Sequence, residues 1–411
     1  MSSRIFISIA AYREHDLENT VLNALQSADH PERLRFVVCW QRAPDECLEH
    51  LPAMEQVELI EIPCADSRGV CWARHLIQQR FAGEEFAMQL DAHHRFVAGW
   101  DVLLVDMLEQ LEAQGVARPL LTSYLPGFDP ADDPGARCLE PWLLGFDHFD
   151  SSGVLLLAPY TSEQNLSSPA PTAFWSAHFS FSRGSFVTEV PIDPKGYFHG
   201  EEISTAIRGW THGYDYYCPH RLVAWHEYSR RGRVCHWDDH NDWGLRNGRA
   251  IRRFNTLLGV DGLQGSEDFG EYGLGDRRTL SEYERFAGVE FSGRRVCRST
   301  LEHRLPGVVE NGATESQEYL ISMSRHVELP MALLRDPQLQ FVGLFANDAN
   351  GEELHRRDVG PEEINAVLRE ANTGDSFGFL FKLFCVEPPA TLTIWPFYRN
   401  QGWARAEVNP W

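Results

Sequence analysis

The sequence predicts an α/β chain: a largely parallel sheet with helices on its faces, followed by a smaller β-sandwich-like module. Three observations predict it. Strand-like apolar runs and helix-like amphipathic runs alternate at short intervals from Arg4 to Phe96, the rhythm of a parallel sheet covered by helices. One apolar run, Phe86-Ala87-Met88-Gln89-Leu90, stops at Asp91-Ala92-His93-His94-Arg95, so a strand carries charged and metal-binding groups to its own carboxyl end, where ligands collect in open α/β sheets. From about residue 297 the pattern becomes strand-like runs separated by Asp, Asn, Gly and Pro turns.

In chain order, Arg4 to Ala11 reads as a buried strand and Tyr12-Arg13-Glu14 as the loop before a helix from about Leu17 to Ala28. Leu34 to Gln41 and Val57 to Ile62 are further strands, and Asp66 to Ile77 is a glycine-bearing loop that opens a helix. Trp100 to Gln114 is an amphipathic helix and Leu120 to Leu125 a strand. Residues 126–172 read as a long turn-rich loop, because Pro126, Asp129, Pro130, Asp132, Asp133, Pro134 and Gly135 cluster there. Trp175 to Phe186 alternates aromatic and small residues like a half-buried strand. Phe198-His199-Gly200-Glu201-Glu202 sets two carboxylates at the mouth of a helix, suited either to the helix dipole or to recognising hydroxyls.

Tyr214 to Pro219 and Leu222 to Tyr228 are strands, the second carrying His226. Ser229 to His240 is rich in arginine and aromatics, and after Asn255 the chain is charged and glycine-rich, with a short helical stretch near Leu280 to Phe286. Beyond it, Glu318–Met323, Gln338–Phe345, Ser376–Phe384 and Ala390–Phe397 read as strands and Pro361–Asn372 as a helix. Trp395, Tyr398, Trp403 and Trp411 suit a core or a platform for sugar faces. The expected division is residues 1–296 and 297–411.

The formal charge of −22 over 411 residues excludes general binding to nucleic acid or anionic membrane, which need a basic face. No apolar window is long enough to span a bilayer, and the nine cysteines lack CxxC spacing, so the expectation is a soluble cytoplasmic protein with free thiols. Loops after parallel strands gather at one edge, so the segments near Tyr12, Arg68–Arg74 and Asp91–Arg95 are expected to meet. Asp91 and His93, one residue apart, can face one divalent cation, and His226 is the natural third ligand if it returns beside them.

Three motifs, Ser67-Arg68-Gly69-Val70-Cys71-Trp72-Ala73-Arg74, Gln89 to Phe96, and Phe198 to Ile203 running on to Asp215, stand in an order and spacing that continues into Trp225-His226-Glu227-Tyr228-Ser229-Arg230. Over roughly residues 4–245 the chain resembles the GlcNAc-transferase family typified by the cytoplasmic enzyme that modifies hydroxyproline on Skp1. The resemblance implies a GT-A fold, a Rossmann-like nucleotide-sugar-binding domain, with Asp91-Ala92-His93 as its variant of an Asp-X-Asp metal motif. It implies transfer of GlcNAc from UDP-GlcNAc, a nucleotide sugar, to a hydroxyl-bearing acceptor (protein, peptide, glycan or metabolite), with retention.

In that reading Mn²⁺ or Mg²⁺ sits on Asp91, His93 and His226, and Ala11, Tyr12 and Arg13 hold the uridine. Arg74 is the second diphosphate clamp, aided by Arg68 or Arg230, and Glu201 and Glu202 bind sugar or acceptor hydroxyls, with neither assigned as an essential base. The alternatives are a transferase for another nucleotide sugar, a metal-dependent hydrolase using Asp91, His93, His226 and His236, and a non-catalytic carbohydrate-binding protein built on the carboxyl-terminal module.

Overall fold

A computed structural model describes residues 4–163, 165–229, 232–262, 265, 267–304, 306, 318–369 and 374–411. The chain divides into two compact units, one of residues 1–147, 157–288 and 303–313, the other of 148–156, 289–302 and 314–411.

The first unit is built on β1 (Ile5–Tyr12), α1 (Leu17–Ser27), β2 (Leu34–Arg42), β3 (Val57–Pro63), α2 (Val70–Gln78), β4 (Phe86–Leu90), β5 (His94–Phe96), α3 (Trp100–Ala113) and β6 (Pro119–Thr122). After it come β7 (Leu143–Phe149) and β8 (Leu155–Tyr160), each with residues in both units, then β9 (Ala170–Thr172), β10 (Phe179–Arg183), α4 (Ser185–Glu189), α5 (Glu201–Thr211), β11 (Asp215–Cys218), β12 (Ala224–His226), α6 (His236–Asp239), α7 (Trp243–Leu258) and α8 (Leu280–Ala287). One sheet runs in the order β3-β2-β1-β4-β10-β6-β11-β9. β1, β2, β3 and β4 are parallel, as are β6 and β11, while β10 runs antiparallel between β4 and β6 and β9 antiparallel to β11.

Both faces of this sheet are buried, the condition for a parallel sheet. Ile5, Ile7 and Ile9 of β1 and Phe36 and Val38 of β2 pack with Leu17 and Val21 of α1 and with Leu104, Met107 and Leu108 of α3. Phe6, Val37 and Cys39, at the alternate positions, pack with Ala73 and Ile77 of α2 on the other face. The result is the Rossmann-like GT-A arrangement expected from the sequence, and β1 and β4, hydrogen-bonded neighbours, end at the same edge. A separate ribbon pairs β5 with β12 and sets His226 opposite His94.

The second unit is β-rich, also as expected. Its four-stranded sheet includes Tyr319–Pro330 paired with Ser376–Cys385, and its five-stranded sheet includes Leu339–Asn347 between Glu353–Val359 and Thr391–Tyr398. Val327, Leu329, Phe379 and Phe381 from one and Val342, Leu344 and Leu392 from the other share a core.

Several local readings change. The stretch 126–172 contains β7, β8 and β9, because its turn residues end by Gly135 and an apolar run, Leu143–Phe149, follows. Trp175–Phe186 is a strand only over Phe179–Arg183: the Ser176 amide donates to the Thr122 hydroxyl and the His178 ring accepts from the Leu125 amide, so side chains replace a strand partner there. α7 was hidden by Gly244 and Gly248, although Ala250, Phe254 and Leu258 stand at four-residue spacing and are buried. The strand Glu353–Val359 was missed because its exposed face is charged. The helix from Pro361 is described as far as Arg369, and its expected continuation to Asn372 lies outside the described residues. No helix among the described residues is long and apolar enough to cross a membrane.

Candidate active site

β4 ends at Leu90 and is followed by Asp91, whose amide donates to the His178 carbonyl at 3.3 Å and whose carbonyl accepts from His94 Nδ1 at 3.0 Å. These two bonds fix the carboxylate at the strand end. His93 follows in the turn to β5, and β12 brings His226 back through its pairing with β5. One ligand atom from each of Asp91, His93 and His226 lies within 4.8 Å of the others.

His226 Nε2 stands 3.7 Å from Asp91 Oδ2, too long for a hydrogen bond, and neither ring nitrogen of this buried histidine has a hydrogen-bond partner among the described residues. A buried ring nitrogen without a partner costs free energy that a coordinated cation would recover. Burial pushes the His226 imidazole down to about 4, against the pull of Asp91, and it also pushes His94 and His178 down, so these rings stay neutral at physiological pH. Burial raises the Asp91 carboxyl, but the polar contact with the His226 ring and the charge of Arg74 outweigh it and hold the group well below the usual carboxylate range. A neutral imidazole beside an ionised carboxylate is the donor set a divalent metal requires, so the residues fit the expected ion.

Glu14, in the loop after β1, places Oε2 2.9 Å from His93 Nδ1. A carboxylate on one ring nitrogen turns the other toward the metal position and raises its basicity.

Arg74 projects from α2. Gly69 begins that helix at φ 106°, where a Cβ would meet the Tyr197 ring at 2.7 Å, so only glycine fits. The Arg74 side chain is 3% exposed and bridges Asp91 Oδ1 at 2.7 Å and Glu201 Oε2 at 2.5 Å. Glu201 opens α5 after Gly200 at φ 88° and is 4% exposed at its side chain. Burial raises its carboxyl while Arg74 lowers it, with a net rise. Glu202 accepts from the Tyr124 hydroxyl at 2.7 Å and from the Ala177 amide at 2.9 Å, and burial pushes it up to about 7. It is the carboxyl of the pair not committed to an arginine.

At the end of β1 the picture is more open. Ala11 is buried and offers its carbonyl, which accepts from Gln41 Nε2 at 3.3 Å. The Tyr12 hydroxyl donates to Asp239 Oδ2 at 2.7 Å, its ring lies 4.9 Å from that of His236, and Arg13 binds Asp239 and Glu46 at 3.1 Å each. The three expected segments do meet: Arg74 joins Asp91 directly, Glu14 ties the β1 loop to His93, and His236, 3.0 Å from the Ser67 hydroxyl, connects Tyr12 with the start of α2.

Arg68 is exposed, its guanidinium 5.5 Å from the centre of the Trp72 ring. Arg230 lies outside the described residues. His236 bonds Ser67 and Tyr197 and is not one of the three clustered ligands, so the four-ligand set of the hydrolase alternative is not assembled. Glu14, Arg233, His178 and Tyr124 belong to this neighbourhood without having been singled out. The first two lie in loops with no periodic signal, and Arg233 is the third arginine of a cluster whose first member alone was chosen.

Fold and family model together make this a glycosyltransferase of the GT-A type. The chain belongs to the Glycosyltransferase (GlcNAc) family, whose model matches residues 4–51 and 46–293. No curated protein sequence matches it. Among solved structures it is similar to GalNAc-T7 with UDP, GalNAc and Mn²⁺, at 13% identity and a TM-score of 0.44 over 69% of this chain and 54% of that one, so it spans little more than half of that protein. It is also similar to S. aureus TarS 1-349 with UDP-GlcNAc, at 12% identity and a TM-score of 0.41 over 71% of this chain and 72% of that one.

Proposed function

We propose that the protein moves GlcNAc from UDP-GlcNAc to a hydroxyl-bearing acceptor, with retention at the anomeric carbon and with Mn²⁺ or Mg²⁺ on Asp91, His93 and His226. The observation that carries the metal-dependent reading is buried His226, which has no hydrogen-bond partner among the described residues and faces an ionised Asp91. Family membership carries the choice of sugar.

A bound divalent ion supplies Lewis-acid stabilisation of the negative charge that the departing diphosphate acquires. The chain's own residues prepare the place for it. Glu14 orients His93, and Arg74, fixed by Glu201, orients Asp91. Arg74 Nη1 and Nη2 are both committed to carboxylates, so its role is to position Asp91 rather than to grip phosphate. Glu201 is likewise held by Arg74, which leaves Glu202, with Tyr124, as the carboxyl that faces sugar or acceptor hydroxyls. Ala11, Tyr12 and Arg13 take the uridine, for which Asp239 must give up Tyr12 and Arg13.

The test is calorimetric binding of UDP, UDP-GlcNAc and UDP-glucose with Mn²⁺ and with EDTA, repeated on Asp91→Ala. Metal-dependent binding that prefers UDP-GlcNAc and drops by at least about a hundredfold in the variant is expected. Binding that ignores both metal and mutation would sink the reading.

A further inference from the structure

Arg233 is a cation at the β4 edge whose hydrogen bonds do not fit together. Its Nη1 lies 2.7 Å from His93 Nδ1 and 3.3 Å from Glu14 Oε2, while His93 Nδ1 itself lies 2.9 Å from the same Glu14 oxygen. One ring nitrogen cannot serve both contacts. If Nδ1 carries the proton it donates to Glu14 and meets an Arg233 N–H head on; if it is bare it accepts from Arg233, and Nε2 then carries the proton. A cation on His93 Nε2 requires the first arrangement, because Nε2 must offer its lone pair. Metal at His93 and an Arg233 bond to His93 are therefore mutually exclusive.

The remaining contacts agree. Arg233 is 12% exposed at its side chain, Nη2 is anchored on the Ser229 carbonyl, and buried Nε has no hydrogen-bond partner among the described residues. Arg74, by contrast, has both Nη1 and Nη2 on carboxylates. Three carboxylates (Glu14, Asp91, Glu201) are ion-paired with two guanidiniums (Arg74, Arg233) here, and a divalent cation would make this cluster two charges more positive, which favours an incoming anion.

We propose that Arg233 is a diphosphate-binding residue, parked on His93 and Glu14 in the ligand-free protein and released to the anion when a divalent cation takes His93. This rests on the metal and nucleotide reading above. It makes Arg233, not Arg74, the arginine that recognises phosphate oxygens, and it couples metal occupancy to anion affinity.

The experiment measures Mn²⁺ alone, by electron paramagnetic resonance titration, and UDP and inorganic pyrophosphate in saturating Mn²⁺, by calorimetry, on wild type, Arg233→Ala and Arg233→Lys. Arg233→Ala is expected to bind Mn²⁺ at least as tightly as wild type, since a competitor for His93 is gone. It should bind UDP and pyrophosphate about tenfold or more weakly, the loss of one charge-assisted hydrogen bond. Arg233→Lys should recover part of that loss. Unchanged UDP affinity in Arg233→Ala, or Mn²⁺ and UDP weakened together, would overturn the proposal. Wild type that binds Mn²⁺ but no UDP would instead overturn the nucleotide reading itself.

Discussion

Two neighbouring strands of the same sheet end in the same motif, an arginine bridging two carboxylates, in opposite surroundings. At β4, Arg74 holds Asp91 and Glu201 with side-chain exposures of 3%, 30% and 4%. At β1, Arg13 holds Asp239 and Glu46 with exposures of 24%, 28% and 29%. Geometry barely separates them, since distances run from 2.5 to 2.7 Å in the first and are 3.1 Å in the second. Burial separates them. In a low-dielectric interior each charge depends on its partner, so the β4 network is stiff and suited to holding a metal ligand in one geometry. Near water the partners are replaceable, so the β1 network suits a place where a ligand must displace a side chain.

Arg74→Ala gives the largest effect. It leaves buried Glu201 and the partly exposed Asp91 without a counter-charge, and metal-free protein should lose about 3–5 kcal/mol in denaturant unfolding with EDTA present. A loss below about 1 kcal/mol would erase the contrast between the two ends.

An intermediate effect belongs to Glu202, whose carboxyl is buried at the same edge without an arginine. Its folded pKa of about 7 lies above its ordinary 4.5, so its contribution to stability is complete below about 4.5 and is lost as pH rises through about 7. Glu202→Gln removes that titration. Relative to wild type the variant should therefore gain stability, on the order of 2 kcal/mol, between about pH 5 and about pH 8. A wild-type-to-variant difference that stays flat over this range would show Glu202 to be solvated like the β1 carboxylates.

Asp239→Ala, the smallest, should change stability by less than about 1 kcal/mol, the ordinary worth of a surface pair. A loss above about 2 kcal/mol by thermal unfolding would show the β1 network to be as rigid as its neighbour.

Much of this was legible beforehand. Asp91 and His93 could be read because a carboxylate and an imidazole one residue apart at a strand end can face one cation, and His226 because it closes a second strand able to return beside them. Arg74 could be found, but its task could not, since nothing local shows that Glu201, 127 residues away, consumes one side of its guanidinium. Glu14 and Arg233 stayed invisible for the same reason. A glutamate and an arginine in polar loops look like solvated charge until packing brings them 2.9 and 2.7 Å from one imidazole.

The sequence by itself determined the alternation of strands and helices, the chemistry at the ends of β1 and β4, and the acidic balance, because period and composition are local properties. The tertiary structure alone decided which charges neutralise one another and which remain available to a ligand. Those pairings join residues as far apart as Arg13 and Asp239, and their strength is set by burial, which only the packed chain defines.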